Sequence, residues 1–384
     1  MERAKLIALV RATGCAVERS GFAFLCDPAW SEADRATAQA LFERRDAVSA
    51  DDGWLCIRTG GSGGGVKFAR HDERTITAAV RGFCAHFGLD RVNAIDVLPA
   101  HHVSGLMTRA RCAATGGEHR AWNWKRLESG ERPALSGGDW VISLVPTQLQ
   151  RLLVSADAVT WLSGFRTIFL GGGPVWPSLA DAAANAKLRV SLSYGMTETA
   201  AMIAAQRPEE FLAGDRSSGT VLPHARIRMN EDDVVCVGGQ SLFRGYFPDA
   251  RSGAEFVTDD LGRIDEHGHL HVLGRRDAAI VTGGKKVQPA EVEAALRASG
   301  EFADVAVIGV PDAEWGQAVV ACFPATAVPP DVSRVTRDLA PHQRPKRFVA
   351  IPASEWPRNP QGKVNRAELG RLVERALRAK AGAG

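Results

Sequence analysis

The stretch Val190-Ser191-Leu192-Ser193-Tyr194-Gly195-Met196-Thr197-Glu198 decides the fold. Its first four residues predict a buried β-strand, and the next residues place an aromatic ring, a hydroxyl and a carboxylate at the end of that strand. These groups can stack on a base, hydrogen-bond a phosphate and ligate magnesium. The same pattern is also typical of a simple turn in which Thr197 caps a helix.

Strands and helices alternate on the amino-terminal side of this stretch. A buried run at 167–170 ends in Gly171-Gly172-Gly173, and a helix opened by Ser178 and Asp181 leads to the strand at 190–193. The other predicted strands here are 54–59 and 140–145, and the other predicted helices are 74–87 and 147–154. This alternation indicates an α/β fold with a doubly wound, largely parallel sheet. Residues 10–50 are expected to be loosely helical.

The pattern changes after about residue 220. Short β-type runs at 234–237 and 269–273, separated by Gly, Asp and Pro, predict a smaller β-rich subdomain. A compact α+β unit is expected after Gly274, with helices at 289–299 and 331–340 and strands at 303–310 and 319–323. We place the domain boundary near residues 274–279.

Length and composition indicate an ordinary globular protein. The chain has 384 residues, which favours two domains, and 45% of them are apolar and 24% charged. The net charge of +3 comes from interspersed charges, so no nucleic-acid-binding arm is expected. Seven scattered cysteines predict reduced thiols. No signal-peptide core and no apolar run of about 18 residues is found, so we expect a soluble, cytoplasmic protein without a membrane partner.

A glycine cluster follows the strand at 54–59. It runs Thr59-Gly60-Gly61-Ser62-Gly63-Gly64-Gly65-Val66-Lys67. Such a loop can aim backbone N–H groups at a phosphate while the lysine adds a positive charge. A flexible glycine hairpin fits the residues equally well. It is not a Walker A loop, because Val66 precedes Lys67 and Phe68 follows it.

Two later segments also carry polar groups. Asp260, followed by Arg275, provides a carboxylate for two ribose hydroxyls and a cation for sugar or phosphate. Asn359-Pro360-Gln361-Gly362-Lys363 places a lysine on a turn near the carboxyl end. Each segment taken alone is also consistent with an ordinary exposed turn, but their order and spacing are distinctive.

These segments together resemble the adenylate-forming superfamily of acyl-CoA synthetases, luciferases and peptide-synthetase adenylation domains. The resemblance covers residues 54–366. Within the superfamily the chain is most similar to the o-succinylbenzoate–CoA ligases of menaquinone and phylloquinone synthesis. The Thr-Gly-Gly-Ser loop, His101-His102-Val103-Ser104-Gly105-Leu106-Met107 and Tyr194-Gly195-Met196-Thr197-Glu198-Thr199-Ala200 carry this similarity.

The resemblance implies a role for each matching residue. Thr197, Glu198, Lys67 and Lys363 would be catalytic, with Glu198 holding magnesium and Lys363 bridging the carboxylate and the α-phosphate. The implied ATP- and AMP-binding residues are Thr59, Gly60, Gly61, Ser62, Gly63, Gly64, Gly171, Gly172, Gly173, Ser193, Tyr194, Gly195, Asp260 and Arg275. The acid would meet His102, Ser104, Gly105 and Arg111, and coenzyme A would meet Gly283 and Gly284. His102 also fits a structural role, and Arg111 also fits a plain surface arginine.

The implied activity is an ATP-dependent ligation in two steps: formation of an acyl-adenylate, then transfer of the acyl group to a thiol. It predicts an AMP-binding domain over 1–274, a hinge over 275–279 and a mobile C-terminal domain over 280–384. The sequence departs from the family pattern at three places. Gly63 replaces a phosphate-loop threonine, Val66 and Phe68 replace Pro and Gly, and Ala278 takes the usual hinge position.

Three alternatives remain open at this point. The chain could act on another aryl or acyl acid, could bind nucleotide without catalysis, or could use a carrier-protein thiol instead of coenzyme A. The expected partners are the acid, ATP and coenzyme A, and an oligomer is possible.

Overall fold

The computed structural model describes residues 1–44, 49–59, 66–137, 139–302, 304–325, 331–337, 339–358 and 364–381. Its helices are α1 (Arg3–Arg11), α2 (Glu32–Phe42), α3 (Glu73–Phe87), α4 (Val103–Thr115), α5 (Trp124–Glu128), α6 (Pro146–Leu152), α7 (Ala156–Ser163), α8 (Pro177–Asn185), α9 (Pro208–Leu212), α10 (Pro289–Ala298), α11 (Val332–Val335) and α12 (Arg366–Ala381).

The strands follow in the same chain order. They are β1 (Ala16–Arg19), β2 (Phe22–Leu25), β3 (Leu55–Thr59), β4 (Lys67–His71), β5 (Asn93–Asp96), β6 (His119–Ala121), β7 (Trp140–Leu144), β8 (Thr167–Leu170), β9 (Val190–Met196), β10 (Ala201–Ala205), β11 (Thr220–Val221), β12 (Ala225–Met229), β13 (Val234–Gly239), β14 (Glu255–Ile264), β15 (Leu270–Arg275), β16 (Ile280–Thr282), β17 (Lys285–Val287), β18 (Ala306–Asp312), β19 (Gly316–Pro324) and β20 (Arg347–Ile351).

The chain divides into two compact units. The first comprises Met1–Val175, Ala182–Thr258 and Gly262–Val272, and the second comprises Trp176–Asp181, Asp259–Leu261 and Leu273–Gly384. The main change of unit along the chain therefore falls between Val272 and Leu273.

A seven-stranded sheet forms the centre of the first unit. Its order is β11-β10-β9-β8-β7-β5-β6, and the strands from β9 to β6 are parallel neighbours. Buried apolar runs explain the central strands, since every residue of β8 is buried. The predicted α/β class with a parallel sheet is confirmed. A second sheet, β1-β2-β3-β4, is mixed, with only β2 and β3 parallel.

Residues 10–50 differ from the expectation of loose helix. Helices α1 and α2 flank a hairpin in which Ala16 pairs with Leu25 and Arg19 with Phe22. All four residues of β2 are buried, and Gly21 takes a φ of +84° in the turn. The burial of Phe22 and Phe24 in an aromatic cluster with Phe247 explains why strand pairing prevails here.

The second unit contains an α+β layer. Strands β17-β16-β19-β18 form a sheet, and β20 joins it parallel to β19. Alternate residues of β18 face opposite sides: Val307 packs with Val292 and Leu296 of α10, whereas Ile308 packs with Leu369 of α12. This layer confirms the predicted small α+β unit.

One local prediction in this half of the chain is wrong. The helix expected over 331–340 is a single turn, Val332–Val335, among the described residues there. Asp260 lies within the ten-residue strand β14, not in the turn that was the alternative interpretation of its segment.

Candidate active site

Strand β9 is longer than the strand predicted at 190–193, because it continues through Met196. A 3-10 turn at Thr197–Thr199 follows it. The carboxyl end of β9 lies beside that of β8, with Leu170 paired to Leu192. Gly171 therefore neighbours Ser193, whose hydroxyl donates to the Leu170 carbonyl at 3.2 Å. Ligands of parallel sheets bind at this edge.

Backbone geometry holds the turn after β9 in one conformation. Ala200 and Ala201 both have positive φ, at +52° and +76°, which is unusual for residues with a side chain. The Thr199 hydroxyl accepts from Met196 N–H and lies within hydrogen-bond distance of the Ala201 carbonyl at 2.7 Å. Gly195 is required because a Cβ there would lie 2.0 Å from the Ala201 carbonyl oxygen. The turn therefore presents Glu198 in a fixed position.

Glu198 is buried, with 8% of its surface exposed, and accepts a hydrogen bond from the Tyr246 hydroxyl at 2.7 Å. The Lys67 ammonium lies 5.8 Å from the centroid of the same Tyr246 ring. A bridge between Ala69 on β4 and Tyr246 fixes the tyrosine against this strand. Two predicted catalytic residues, Lys67 and Glu198, are thus near the same tyrosine. Lys67 lies over its ring, and Glu198 accepts a hydrogen bond from its hydroxyl.

His71, at the end of β4, contacts the turn after β9 at the Thr197 carbonyl. It is fully buried, and its Nε2 lies 2.8 Å from the Thr197 carbonyl oxygen. Burial lowers the pKa of His71 to about 4, so the ring is neutral and Nε2–H donates to that carbonyl. Neither His71 nor Tyr246 was predicted from the sequence. His71 had a weak signal, because it ends the strand that begins at Lys67.

The glycine cluster lies only partly within the described residues. Gly60, Gly61, Ser62, Gly63 and Gly64 lie outside them. Thr59 and Lys67, which flank the cluster, pair directly as antiparallel neighbours at the ends of β3 and β4. The two strand ends that flank the cluster therefore lie side by side, and Lys67 lies close to Tyr246.

Tyr194, Gly172 and Gly173 lie near the same sheet edge. Tyr194 is half-buried and packs against the cluster containing Val235 and Phe243. Gly172 and Gly173 are exposed directly after β8, and Gly172 has a φ of +77°. These positions are compatible with a planar ligand at the edge, which stays a prediction.

The residues predicted for the acid belong to the start of helix α4. His102 precedes its first turn, Ser104 is half-buried, and a Cβ on Gly105 would lie 2.4 Å from the Pro99 carbonyl oxygen. Arg111, two turns along, is not a surface arginine. It is 5% exposed, its guanidinium carbon lies 3.8 Å from the centre of the Phe83 ring, and burial lowers its pKa to about 10.

Asp260 and Arg275 lie together in the second unit. The Arg275 guanidinium is 3.6 Å from the Asp260 carboxylate and makes two hydrogen bonds of 2.7 Å to Asp277. The proposed hinge residues 275–279 therefore begin with a cation held by carboxylates. This arrangement is consistent with a structural and a ribose-binding role.

The last predicted positions lie in two turns of the second unit. Gly283 and Gly284 join β16 to β17 in a two-residue hairpin with φ values of +53° and +74°. Lys363 lies outside the described residues. Described residues on either side of it pair with one another: Arg358 bridges to Val364, and Asn365 N–H donates to the Pro357 carbonyl at 2.9 Å.

Other sequence expectations concern the chain as a whole. The seven cysteines are free thiols. Among the helices in the described ranges, none is long and apolar enough to cross a membrane.

Comparison with known proteins identifies the class. The model of the AMP-binding enzyme family matches residues 8–247, and that of the AMP-binding enzyme C-terminal domain matches residues 291–363. The chain belongs to the AMP-binding enzyme family.

Its relatives include enzymes of one named activity. The 2-succinylbenzoate–CoA ligase of Geobacillus kaustophilus is 32% identical over 299 residues, covering 73% of this chain and 61% of that protein. The same enzyme of Bacillus licheniformis is 30% identical over 349 residues, with coverages of 84% and 71%. A solved E. coli MenE variant with bound OSB-AMS is 27% identical, with a TM-score of 0.70, and the match covers 84% of this chain and 69% of that one. The chain spans about 60% of the length of several such ligases.

Proposed function

We propose that the chain is an ATP-dependent acid–thiol ligase that converts o-succinylbenzoate to o-succinylbenzoyl-CoA, a step of menaquinone or phylloquinone synthesis. Membership of the AMP-binding enzyme family supports the reaction class. The relatives named as 2-succinylbenzoate–CoA ligases, at 30% to 32% identity, support the substrate.

The arrangement of Lys67, Tyr246 and Glu198 is the observation that carries the proposal. It combines an ammonium group with a fixed carboxylate that directly follows a strand of the parallel sheet. An ammonium group suits phosphate oxygens, whereas a carboxylate suits the metal that accompanies them. The site therefore has both charges that binding of magnesium–ATP requires.

The donor set fits magnesium. Glu198 offers a carboxylate and Thr197 a hydroxyl, and magnesium prefers such hard oxygen ligands. Bound magnesium would supply positive charge to the phosphates. The Tyr246 hydroxyl fixes the Glu198 side chain, and His71 fixes the carbonyl beside it.

The first step joins two anions. A carboxylate oxygen of the acid attacks the α-phosphorus, the bond from that phosphorus to the bridging oxygen breaks, and pyrophosphate leaves with the electron pair. The residues act mainly by positioning and charge neutralisation. Lys67 would face the outgoing phosphates, and Lys363 would lie between the carboxylate and the α-phosphate.

The second step requires Lys363 to leave. The thiol of coenzyme A loses its proton to water and its sulfur attacks the acyl carbon. The bond from that carbon to the phosphate oxygen breaks, and AMP leaves with the electron pair. We propose that residues 280–384 rotate about the hinge at 275–279 relative to residues 1–274, and that Gly283 and Gly284 then approach the pantetheine chain. The cofactors of the complete cycle are ATP, magnesium and coenzyme A.

Exchange of labelled pyrophosphate into ATP tests the first step. Exchange should depend on o-succinylbenzoate and magnesium and should be nearly lost in Glu198→Gln, which keeps the shape of the side chain. Arg11→Gln is a matched control, because Arg11 pairs with Glu18 on the surface. Absence of exchange with every acid tested would refute the activity and favour a non-catalytic nucleotide-binding protein.

The environment of Arg111 favours a second candidate substrate class. Its guanidinium is buried against Phe83, so an acid that reaches it must enter an aromatic-walled region. An aryl or acyl acid without a second carboxylate would not need to reach Arg111. A screen that pairs o-succinylbenzoate with benzoate-like and medium-chain acids separates the two: turnover of the latter alone would replace the proposed substrate.

A further inference from the structure

We propose that Asp27, His101 and His102 form a binding site for a divalent transition metal of the zinc type. One ligand atom from each of these three side chains lies within 4.8 Å of the others. This set does not include Glu198, and it offers nitrogen as well as oxygen donors. Such a donor set selects zinc-like ions over magnesium and calcium.

The fold prepares the Asp27 carboxylate. Asp27 follows strand β2 and is 7% exposed, and its Oδ1 accepts a hydrogen bond from Ala29 N–H at 2.8 Å. This bond fixes the carboxylate so that Oδ2 faces His101. The side chain is therefore positioned before any ligand arrives.

His101 points a polar atom into the same space. The residue is 5% exposed, and its Nε2 makes no hydrogen bond among the described residues. The Asp27 Oδ2 atom lies 3.4 Å from it, which is long for a hydrogen bond to a ring nitrogen. A buried polar atom without a hydrogen-bond partner normally lowers the stability of a protein, so the 3.4 Å separation between these two atoms requires an explanation.

The gap matches the spacing of two metal ligands. Bonds of about 2.0 Å at a tetrahedral angle place neighbouring ligand atoms about 3.3 Å apart. The observed 3.4 Å between His101 Nε2 and Asp27 Oδ2 is that separation. A ring nitrogen of His102 lies within 4.8 Å of the other two ligand atoms, and the His102 ring centroid lies 4.5 Å from that of His101.

A metal ion binds the neutral imidazole of a histidine and the ionised carboxylate of an aspartate, so His101 and Asp27 can both serve as ligands. Three protein ligands leave one position for water or a carboxylate oxygen.

The test uses the whole protein stripped of metal with a chelator. Zinc is titrated against a competing fluorescent chelator, and cobalt binding is followed by its visible ligand-field band. Wild type should bind about one equivalent of zinc, and Asp27→Asn and His101→Gln should each weaken binding by about tenfold or more. His119→Gln is the matched control, because His119 makes an ordinary 2.9 Å hydrogen bond to Asp96. It should bind as wild type does.

Two outcomes would overturn the proposal. One is zinc binding by wild type that is no tighter than that of Asp27→Asn and His101→Gln; the other is an equal loss in His119→Gln. Melting curves without metal establish whether each variant folds. The cobalt spectrum of wild type needs no variant, and a spectrum of hydrated octahedral cobalt alone would also refute the site. None of these readouts needs ATP or the acid, so failure here and failure of the ligase activity are distinguishable.

Discussion

Replacing Tyr246 with Phe removes one hydroxyl and keeps the ring. The lost hydrogen bond is the 2.7 Å contact to Glu198, a residue that is 8% exposed. A hydrogen bond to a charged group contributes about 1.5–3 kcal/mol, and 1.4 kcal/mol corresponds to about tenfold. If Glu198 holds magnesium for the first step, kcat/KM for magnesium–ATP should therefore fall by about tenfold to a hundredfold.

The retained ring makes the interpretation specific. Its edge-to-face contact with Phe243, at 4.9 Å between centroids, and its position beneath Lys67 should persist in Tyr246→Phe. The assay is initial-rate pyrophosphate exchange at varied magnesium–ATP, with a melting curve for each protein. Ser163→Ala, which removes a hydroxyl bonded at 2.7 Å on a distant helix end, should leave kcat/KM unchanged. A folded Tyr246→Phe protein with wild-type kcat/KM would refute the role of the pair.

Three other predictions concern Lys363 and the stability of the first unit. Lys363→Ala should cripple adenylation yet leave thioester formation from supplied acyl-adenylate largely intact; equal loss in both half-reactions would show a structural role. Asp72→Ala should lower the free energy of unfolding in urea by about 1–2 kcal/mol, because Asp72 caps α3 and pairs with Arg244 at 2.9 Å; an unchanged midpoint would contradict this. The free energy of unfolding should fall by up to about 3 kcal/mol as the pH drops from 6.5 towards 4, because of His71. The pKa of His71 is about 4 in the folded protein and 6.5 in the unfolded chain, so the unfolded chain takes up the proton first. His71→Gln should flatten this part of the curve, and an unaltered slope would exclude His71 as its source.

The sequence predicted elements where one local signal was sufficient. Strand β8 is an apolar run whose four residues are all buried, and α10 begins at a proline that suits the first helical turn. The β1–β2 hairpin was missed because β1 is half exposed and its residues, such as Ala16 and Glu18, also suit a helix. Burial of its partner strand against a residue more than two hundred positions away decides the structure there.

The candidate site shows the same limit. Lys67 and Glu198 were selected from local patterns, but the residue that relates them, Tyr246, has no motif around it. Its position depends on pairing with β4, so only the folded chain reveals that its hydroxyl meets Glu198. Arg111 was similarly ambiguous in sequence, because nothing local to α4 indicates that Phe83 of α3 lies against it.

His102 connects the two proposals and allows them to be tested against each other. As part of the acid pocket it would contact the substrate, whereas as a metal ligand it would give a ring nitrogen to zinc. His102 can have both roles only if the bound metal changes the acid pocket. Zinc should therefore alter KM for the acid while leaving KM for ATP unchanged. Asp27→Asn should abolish that zinc effect, because it removes a ligand without touching the pocket side chain. An equal zinc effect in wild type and Asp27→Asn would mean that His102 serves the acid alone.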